Sequence, residues 1–351
     1  MKIAVYSIAL NEEQFVQPWF DSAQEADYLL IADTGSTDKT VQKAKKLGIN
    51  VVNVVVKPWR FDIARNTALA SLPADIDYCV ALDMDEVLLP GWRKELENAH
   101  KAGLTRPRYQ YTWSWVDEEK GIPGLQYGGD KIHARFGYRW KHPVHEVIVP
   151  DRIEEKQGWV GLEIHHHPDS EKSRSQYMPL LELAVREDPS DDRNTYYYAR
   201  ELFFHRRYKE ARQEFLRHLS LPRATWKPER AASMRYIAKC SEDAEKELWF
   251  KKAIEEAPDR REARVDLAEY YYLKKMWQEC YDSCKEILEI KTKPLEYLVE
   301  ARAWGFLPHD YLAISAHYLG KKEEALEHGN IALELSPGDP RLEKNLEFYK
   351  Q

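Results

Sequence analysis

Apolar and polar positions alternate along the first ninety residues in a strand-then-helix rhythm. Lys2 to Leu10 is a short apolar run of strand length, and Asn11-Glu12-Glu13 opens a helical stretch to about Ala26. Tyr28 to Asp33 predicts a second buried strand, ended by Thr34-Gly35-Ser36-Thr37-Asp38. Lys39 to Leu47 has helical periodicity and is closed by Gly48, a good C-cap residue. Val51 to Val56 predicts a third strand, Asp62 to Leu72 a helix, and Tyr78 to Leu82 a fourth strand running into Asp83-Met84-Asp85-Glu86. Such alternation implies crossover units and a mainly parallel sheet, whose ligands bind at the carboxyl ends of the strands. Asn11, Asp33 and Asp83 fall there. Residues 105–170 read as short, aromatic, turn-broken strands, an added antiparallel segment.

Beyond about residue 170 the pattern changes to helices and repeats. Arg207-Tyr208-Lys209-Glu210-Ala211, Ser241-Glu242-Asp243-Ala244, Met276-Trp277-Gln278-Glu279-Cys280 and Lys321-Lys322-Glu323-Glu324-Ala325 share one phrase, their last residues 33, 36 and 45 positions apart. A period near 34 with paired helices resembles tetratricopeptide repeats, whose units bury their faces only by stacking. The longest interval marks an insertion around Trp304 to Asp310. Composition supports the division: residues 1–170 hold 11 of the 15 glycines, and residues 171–351 carry 34 acids and 32 bases. The expected domains are therefore 1–170, α/β, and 171–351, an all-α superhelix.

The net charge of -7 over 351 residues gives no support to duplex DNA binding, which needs a basic surface. No run approaches the ~20 apolar residues of a membrane span. Cys79, Cys240, Cys280 and Cys284 lack zinc spacing and are too few for a disulfide scaffold, which points to a reducing cytoplasm. Cys280 and Cys284, one helical turn apart, read as packing residues.

Three constellations can carry chemistry. Asp83-Met84-Asp85 places two hard oxygen ligands on a turn, suited to Mg2+ or Mn2+; Asp-x-Asp also occurs as a plain solvated turn. The buried lead-in Cys79 to Leu82 weighs toward a site, because three acids delivered together repel and need compensation. Asn11 and Asp33, at strand ends, can hydrogen-bond a flat base, while Gly35, Thr37 and Asp38 fit turn and capping roles. Arg65 can pair with Asp62 at helical spacing or reach a diphosphate.

Taken in order, Ile8-Ala9-Leu10-Asn11-Glu12, Ala32 to Asp38, Phe61 to Asn66 and Ala81 to Glu86 resemble family 2 glycosyltransferases of the GT-A fold. Val144-His145-Glu146 and Ile164-His165-His166-His167 resemble the branch carrying tetratricopeptide repeats behind its catalytic domain. The resemblance implies that the backbone near Ala9-Leu10, with Asn11, Glu12 and Asp33, holds the nucleoside of a UDP-sugar. It puts Arg65 near the diphosphate or donor sugar, Asp85 on the metal, and Asp83 on the ribose or a metal-bound water. It further implies an inverting transfer to a glycan, small molecule or polypeptide, with a base deprotonating the acceptor hydroxyl.

The resemblance puts the base and a further metal ligand within residues 133–167, which hold six of the twelve histidines. Glu146 is the candidate base, shielded by Trp140, Pro143 and Val144; its alternative is a surface pair with Lys141 or Arg139. His145 and His166 are the candidate ligands. Strand alternation puts His166 on the face opposite His165 and His167, so the three cannot all serve. Tyr109, Tyr111, Trp113 and Trp115 alternate onto one face, expected to pack against a repeat helix, with Trp113 or Trp115 available to an acceptor. The repeats are expected to present a polypeptide acceptor or to make a homodimer. Rival readings are a nucleotidyltransferase, which lacks its glycine- and base-rich phosphate loop here, and a degenerate scaffold working through its repeats.

Overall fold

The apolar run after Lys2 forms β1 (Ile3–Ala9), buried almost throughout, as a central parallel strand covered on both faces must be. The computed structural model describes residues 1–169 and 177–350 and divides into two units, Met1–Glu187 and Asp188–Gln351. In the first, β1 is followed by α1 (Val16–Ala23), β2 (Tyr28–Asp33), α2 (Thr40–Lys46), β3 (Asn50–Asn53), α3 (Phe61–Ala70) and β4 (Tyr78–Ala81). Then come β5 (Glu86–Leu88), α4 (Trp92–Lys101), β6 (Arg106–Thr112), β7 (Trp115–Asp117), β8 (Ile122–Pro123) and β9 (Gln126–Gly129). The unit finishes with β10 (Ile132–Ala134), β11 (Tyr138–Lys141), β12 (Val147–Pro150), β13 (Gln157–His166) and α5 (Tyr177–Glu187).

The main sheet has the order β10-β4-β1-β2-β3, parallel except for the edge strand β10. Alternate residues of β1 feed opposite cores. Ile3 and Val5 join Trp19, Trp92 and Leu96 on one face, whereas Ala4 and Tyr6 join Ala68, Leu69, Tyr138 and Trp140 on the other. The buried Trp19 indole donates to the Leu82 carbonyl at 3.0 Å, which ties α1 to the end of β4.

Three expectations need correction. The helix expected from Asn11 begins only at Val16, because Asn11 is left-handed (φ 56°) and residues 11–15 form a turn. The added segment is mixed, not antiparallel. In the sheet β5-β13-β6-β9, β13 runs parallel to β6 but antiparallel to β5, an arrangement that the 44 residues between β6 and β13 permit. Finally, Tyr109 and Tyr111 of the aromatic face lie in the core of their own unit with Trp92 and Leu96. Trp113 and Trp115 lie beyond the end of β6 at Thr112.

The second unit contains α6 (Asp192–Phe204), α7 (Tyr208–Ser220), α8 (Lys227–Cys240), α9 (Asp243–Glu256), α10 (Glu262–Leu273) and α11 (Trp277–Glu289). The short α12 (Ala301–Trp304) precedes α13 (Leu307–Tyr318), α14 (Lys322–Leu335) and α15 (Pro340–Lys350). Neighbouring helices pack as pairs, α6 with α7, α8 with α9, α10 with α11 and α13 with α14. Ala211, Cys280 and Ala325 are each the fourth residue of their helix and fully buried, where close helix approach excludes a larger side chain. Ala244, placed in the same register by sequence, is the second residue of α9 and exposed. Cys284 and Tyr271 are buried in the same core. Among the described residues no helix is long and apolar enough to cross a membrane.

Gly129 closes β9 against the fully buried Tyr109, and a Cβ there would stand 2.2 Å from the Tyr109 ring. Because that ring is fixed in the core, Gly129→Ala is expected to cost the first unit about 1–3 kcal/mol, as overpacking does. Urea unfolding followed by tryptophan fluorescence would measure it.

Candidate active site

β4 ends at Ala81, Leu82 is still fully buried, and the chain must then turn while carrying three acids. The turn closes on itself: the Glu86 amide donates to the Asp83 carbonyl (3.0 Å), and the Asp83 amide donates to Glu86 Oε2 (2.9 Å). Glu86, only 1% exposed, accepts on Oε1 from the Tyr111 hydroxyl and from Lys131 Nζ, both at 2.6 Å. Lys131 also donates to Asp83 Oδ2 at 2.8 Å, while Arg65 Nη2 takes Asp83 Oδ1 at 2.7 Å. Both oxygens of Asp83 are thus held by cations.

The electrostatics follow. Burial disfavours the Asp83 charge, but Arg65 and Lys131 outweigh it and hold the carboxyl well below the usual range. Burial pushes the Glu86 carboxyl up, and Lys131 only partly opposes this. Lys131 itself, although desolvated, is held well above its ordinary value by Asp83 and Glu86.

Arg65 lies on α3 with its guanidinium 4.8 Å from the Trp140 ring centroid. Its Nε donates to Glu146 Oε1 at 2.5 Å. Its Nη1 is buried without a hydrogen-bond partner among the described residues. Arg65 therefore does not pair with Asp62, whose carboxylate goes to Arg60, and Glu146 pairs with neither Lys141 nor Arg139. The expected base is held in place by the expected diphosphate ligand.

Asp85 faces His166 across β13, with Oδ2 and Nε2 3.4 Å apart. His166 Nδ1 lies 2.9 Å from the Trp113 carbonyl, which only an N–H can satisfy, so Nε2 carries the lone pair of the neutral ring. Burial lowers the affinity of His166 for a proton, but Asp85 and the Trp113 carbonyl more than offset this and raise it. Two ligands at right angles about 2.1 Å from one ion lie about 3.0 Å apart, so this pair fits one edge of a Mg2+- or Mn2+-type shell. No group of three His, Cys, Asp or Glu converges among the described residues. His145, by contrast, is left-handed (φ 49°) and packs its ring on Tyr177, 5.5 Å away. Of the two candidate histidines, His166 is the one brought to Asp85.

The nucleoside-side candidates cluster at the ends of β1 and β2. The Asp33 carboxylate accepts from the Gly35 and Ser36 amides, both at 3.2 Å, and Gly35 takes φ 117°. Asn11 Oδ1 accepts from the Thr37 amide at 2.8 Å, and Asp38 accepts from the Thr40 amide at 2.9 Å. The Ala9 carbonyl accepts from Thr34, Leu10 is exposed, and the buried Glu12 donates its amide to Thr40 at 2.8 Å. Asp33 and Asn11 shape the loop between β2 and α2 as well as bordering the strand ends.

Residues 5–121 match the family model Glycosyl transferase family 2. The first unit carries a family 2 glycosyltransferase domain. Uncharacterized glycosyltransferases of Rickettsia conorii and Rickettsia typhi are 33% and 32% identical to this chain over 97 residues, 27% of its length. The chain spans about a third of the length of these relatives. Glucosyl-3-phosphoglycerate synthase of Mycobacterium tuberculosis, solved with Mn2+ and UDP, is similar over 38% of this chain and 57% of its own (25% identity, TM-score 0.30). YrrB, a tetratricopeptide repeat protein, is similar over 50% of this chain and 82% of its own (17% identity, TM-score 0.36).

Sequence reasoning missed Lys131, Glu86 and Tyr111. The one signal was the uncompensated acid cluster after β4, which demanded a cation without saying which.

The glycosyltransferase domain also holds a buried neutral histidine. Trp140 Nε1 donates to the Tyr6 hydroxyl (2.9 Å), which lies 3.3 Å from His133 Nε2, and His133 Nδ1 is 2.8 Å from the Ala134 carbonyl. Burial depresses its pKa to about 4. Between that value and the unfolded value near ~6.5 the unfolded chain binds the extra proton, so stability falls as pH drops through this window. Unfolding free energies of the parent and of His133→Gln at pH 7 and pH 4.5 check this: the parent should lose more than the variant.

Proposed function

We propose that this protein is a metal-dependent inverting glycosyltransferase using a nucleotide sugar, with UDP-sugar as donor and a hydroxyl or peptide side chain as acceptor. The supporting observation is one strand end that carries three prepared elements. Asp83 is neutralised on both oxygens, Asp85 and His166 form an open ligand pair, and Arg65 Nη1 is a buried donor without a partner. In the domain assignment 1–170 does the chemistry and 171–351 forms the repeats.

Asp85 and His166 would hold Mn2+ or Mg2+, which when bound offsets charge developing on the leaving diphosphate. Arg65 Nη1 supplies a charge-assisted hydrogen bond in the same place. Asp83, already committed to Arg65 and Lys131, contributes to the ribose side and to a fixed turn. Asp33 and Asn11, with the Ala9-Leu10 backbone and Glu12, border the uracil and ribose. Glu146 serves as base: Arg65 fixes its Oε1, and the other oxygen takes the acceptor proton. Trp113, 37% exposed and stacked on His166 at 6.1 Å, offers a flat surface beside the reacting groups. The reduced state of all four cysteines suits a cytoplasmic protein.

Release of UDP from a UDP-sugar, followed with and without Mn2+, tests the reading. Asp85→Ala should lower it by more than the roughly 10–100-fold that loss of an outer-shell partner costs; equal release by the variant would overturn the metal assignment. Glu146→Gln should keep the thermal shift given by UDP with Mn2+ while losing transfer to acceptor. A variant that transfers normally removes Glu146 as the base.

A further inference from the structure

Between β6 and β9 the chain leaves its sheet, forms the β7-β8 hairpin, and on the way reaches His166 twice. The Trp113 carbonyl lies 2.9 Å from Nδ1 of the imidazole, and the Trp115 indole Nε1 donates to the His166 main-chain carbonyl at 3.1 Å. β6 pairs with β13 as far as Thr112 and His165, and there it ends. One residue further on, the Trp115 side chain supplies the donor for a carbonyl beyond the last pair of that ladder. A main-chain carbonyl away from water needs such a partner.

The indole is itself held in place. Its ring lies 4.7 Å from that of His165 at 77° and 5.9 Å from that of His167 at 18°. These two residues flank His166 along the chain, and alternation turns them away from its ring, which stacks 6.1 Å from Trp113. His167 extends the contact to the other ligand: its amide donates to the Asp85 carbonyl at 2.8 Å, and its Nδ1 lies 2.5 Å from Glu118 Oε1, just after β7. Tryptophan suits this place because it joins a rigid apolar body to a single neutral donor. Lysine or arginine would bring a positive charge beside two groups assigned to a divalent cation.

We propose that Trp115 is a positioning residue for the ligand pair. By fixing the main chain at His166 it keeps the imidazole Nε2 at its separation from Asp85, so that a divalent cation meets two ligands already in place. The inference rests on the reading of Asp85 and His166 as metal ligands. With its ring engaged by two imidazoles, Trp115 serves that pair and leaves the acceptor surface to Trp113.

The test uses the full chain and Mn2+ alone, its affinity read from the electron paramagnetic resonance signal of the free ion well below the melting temperature. Trp115→Phe keeps an aromatic ring and loses the N–H. It should bind Mn2+ roughly tenfold more weakly or worse, as loss of an outer-shell partner does, and Asp85→Ala should lose binding. A merely structural Trp115 would lower the melting temperature and leave the Mn2+ affinity of the folded chain unchanged. Parent and Trp115→Phe binding equally, while Asp85→Ala does not bind, overturns the role of Trp115 and spares the ligand pair. A parent that binds no Mn2+ overturns the ligand pair, and this inference with it. Coupling is reciprocal, so Mn2+ must in turn slow backbone hydrogen exchange over residues 113–118 of the parent. That measurement needs no variant and decides the matter where Trp115→Phe does not fold: exchange indifferent to Mn2+ in a parent that binds it overturns the proposal.

Discussion

Holding the Asp83 carboxylate charged where burial opposes it is the constraint on which the open end of the glycosyltransferase domain depends. Arg65 and Lys131 take one oxygen each. Neither cation is available by accident: Arg65 is buried on α3 over Trp140, and Lys131 immediately precedes β10, which pairs with β4. The same cations reach on to Glu146 and Glu86, so five charged groups from separate parts of the chain fix one another. Removing one partner from such a set leaves an unpaired buried charge, which costs far more than the set contributes over an apolar equivalent. Its value is geometric. It fixes the turn that aims Asp85 at His166.

Around that turn the supporting shell is aromatic and imidazole-rich. Tyr111 holds Glu86, Trp140 covers Arg65 and reaches Tyr6, and the Trp113 carbonyl fixes the tautomer of His166. The tryptophans between Trp92 and Trp159 are therefore divided between core filling and orientation of polar groups. In the repeat unit aromatic residues do a different task. Tyr196, Phe215, Tyr271 and Tyr311 pack helices against one another, and ion pairs such as Arg235–Asp266 stitch successive pairs.

Much of the first unit was legible because short-range pattern determines it. The second strand was read with its observed ends, Tyr28 to Asp33, since apolar length and a following turn cluster leave little choice. Gly35 was read as a turn residue and takes φ 117°, and Asp38, read as a capping residue, accepts from the Thr40 amide at the start of α2, because such preferences act within three residues. The aromatic strand was read as one face, yet alternation did not say that Tyr109 and Tyr111 would fill the core of their own unit, since it tells which residues share a face but not what that face meets. The repeat phrases located the second helices of the pairs, yet Ala244 was aligned two residues off, because small residues recur by chance.

The sequence by itself determined the alternating α/β unit, the repeat unit and the polar groups collected at strand ends, since these follow from periodicity and turn chemistry along the chain. Only the tertiary structure decided that Arg65 belongs to Asp83 and Glu146, that Lys131 and Glu86 complete the set, and that His166 and not His145 meets Asp85. Those pairings join residues 18 to 81 positions apart. They depend on strand order and on which face each side chain takes, and neither is encoded in local pattern.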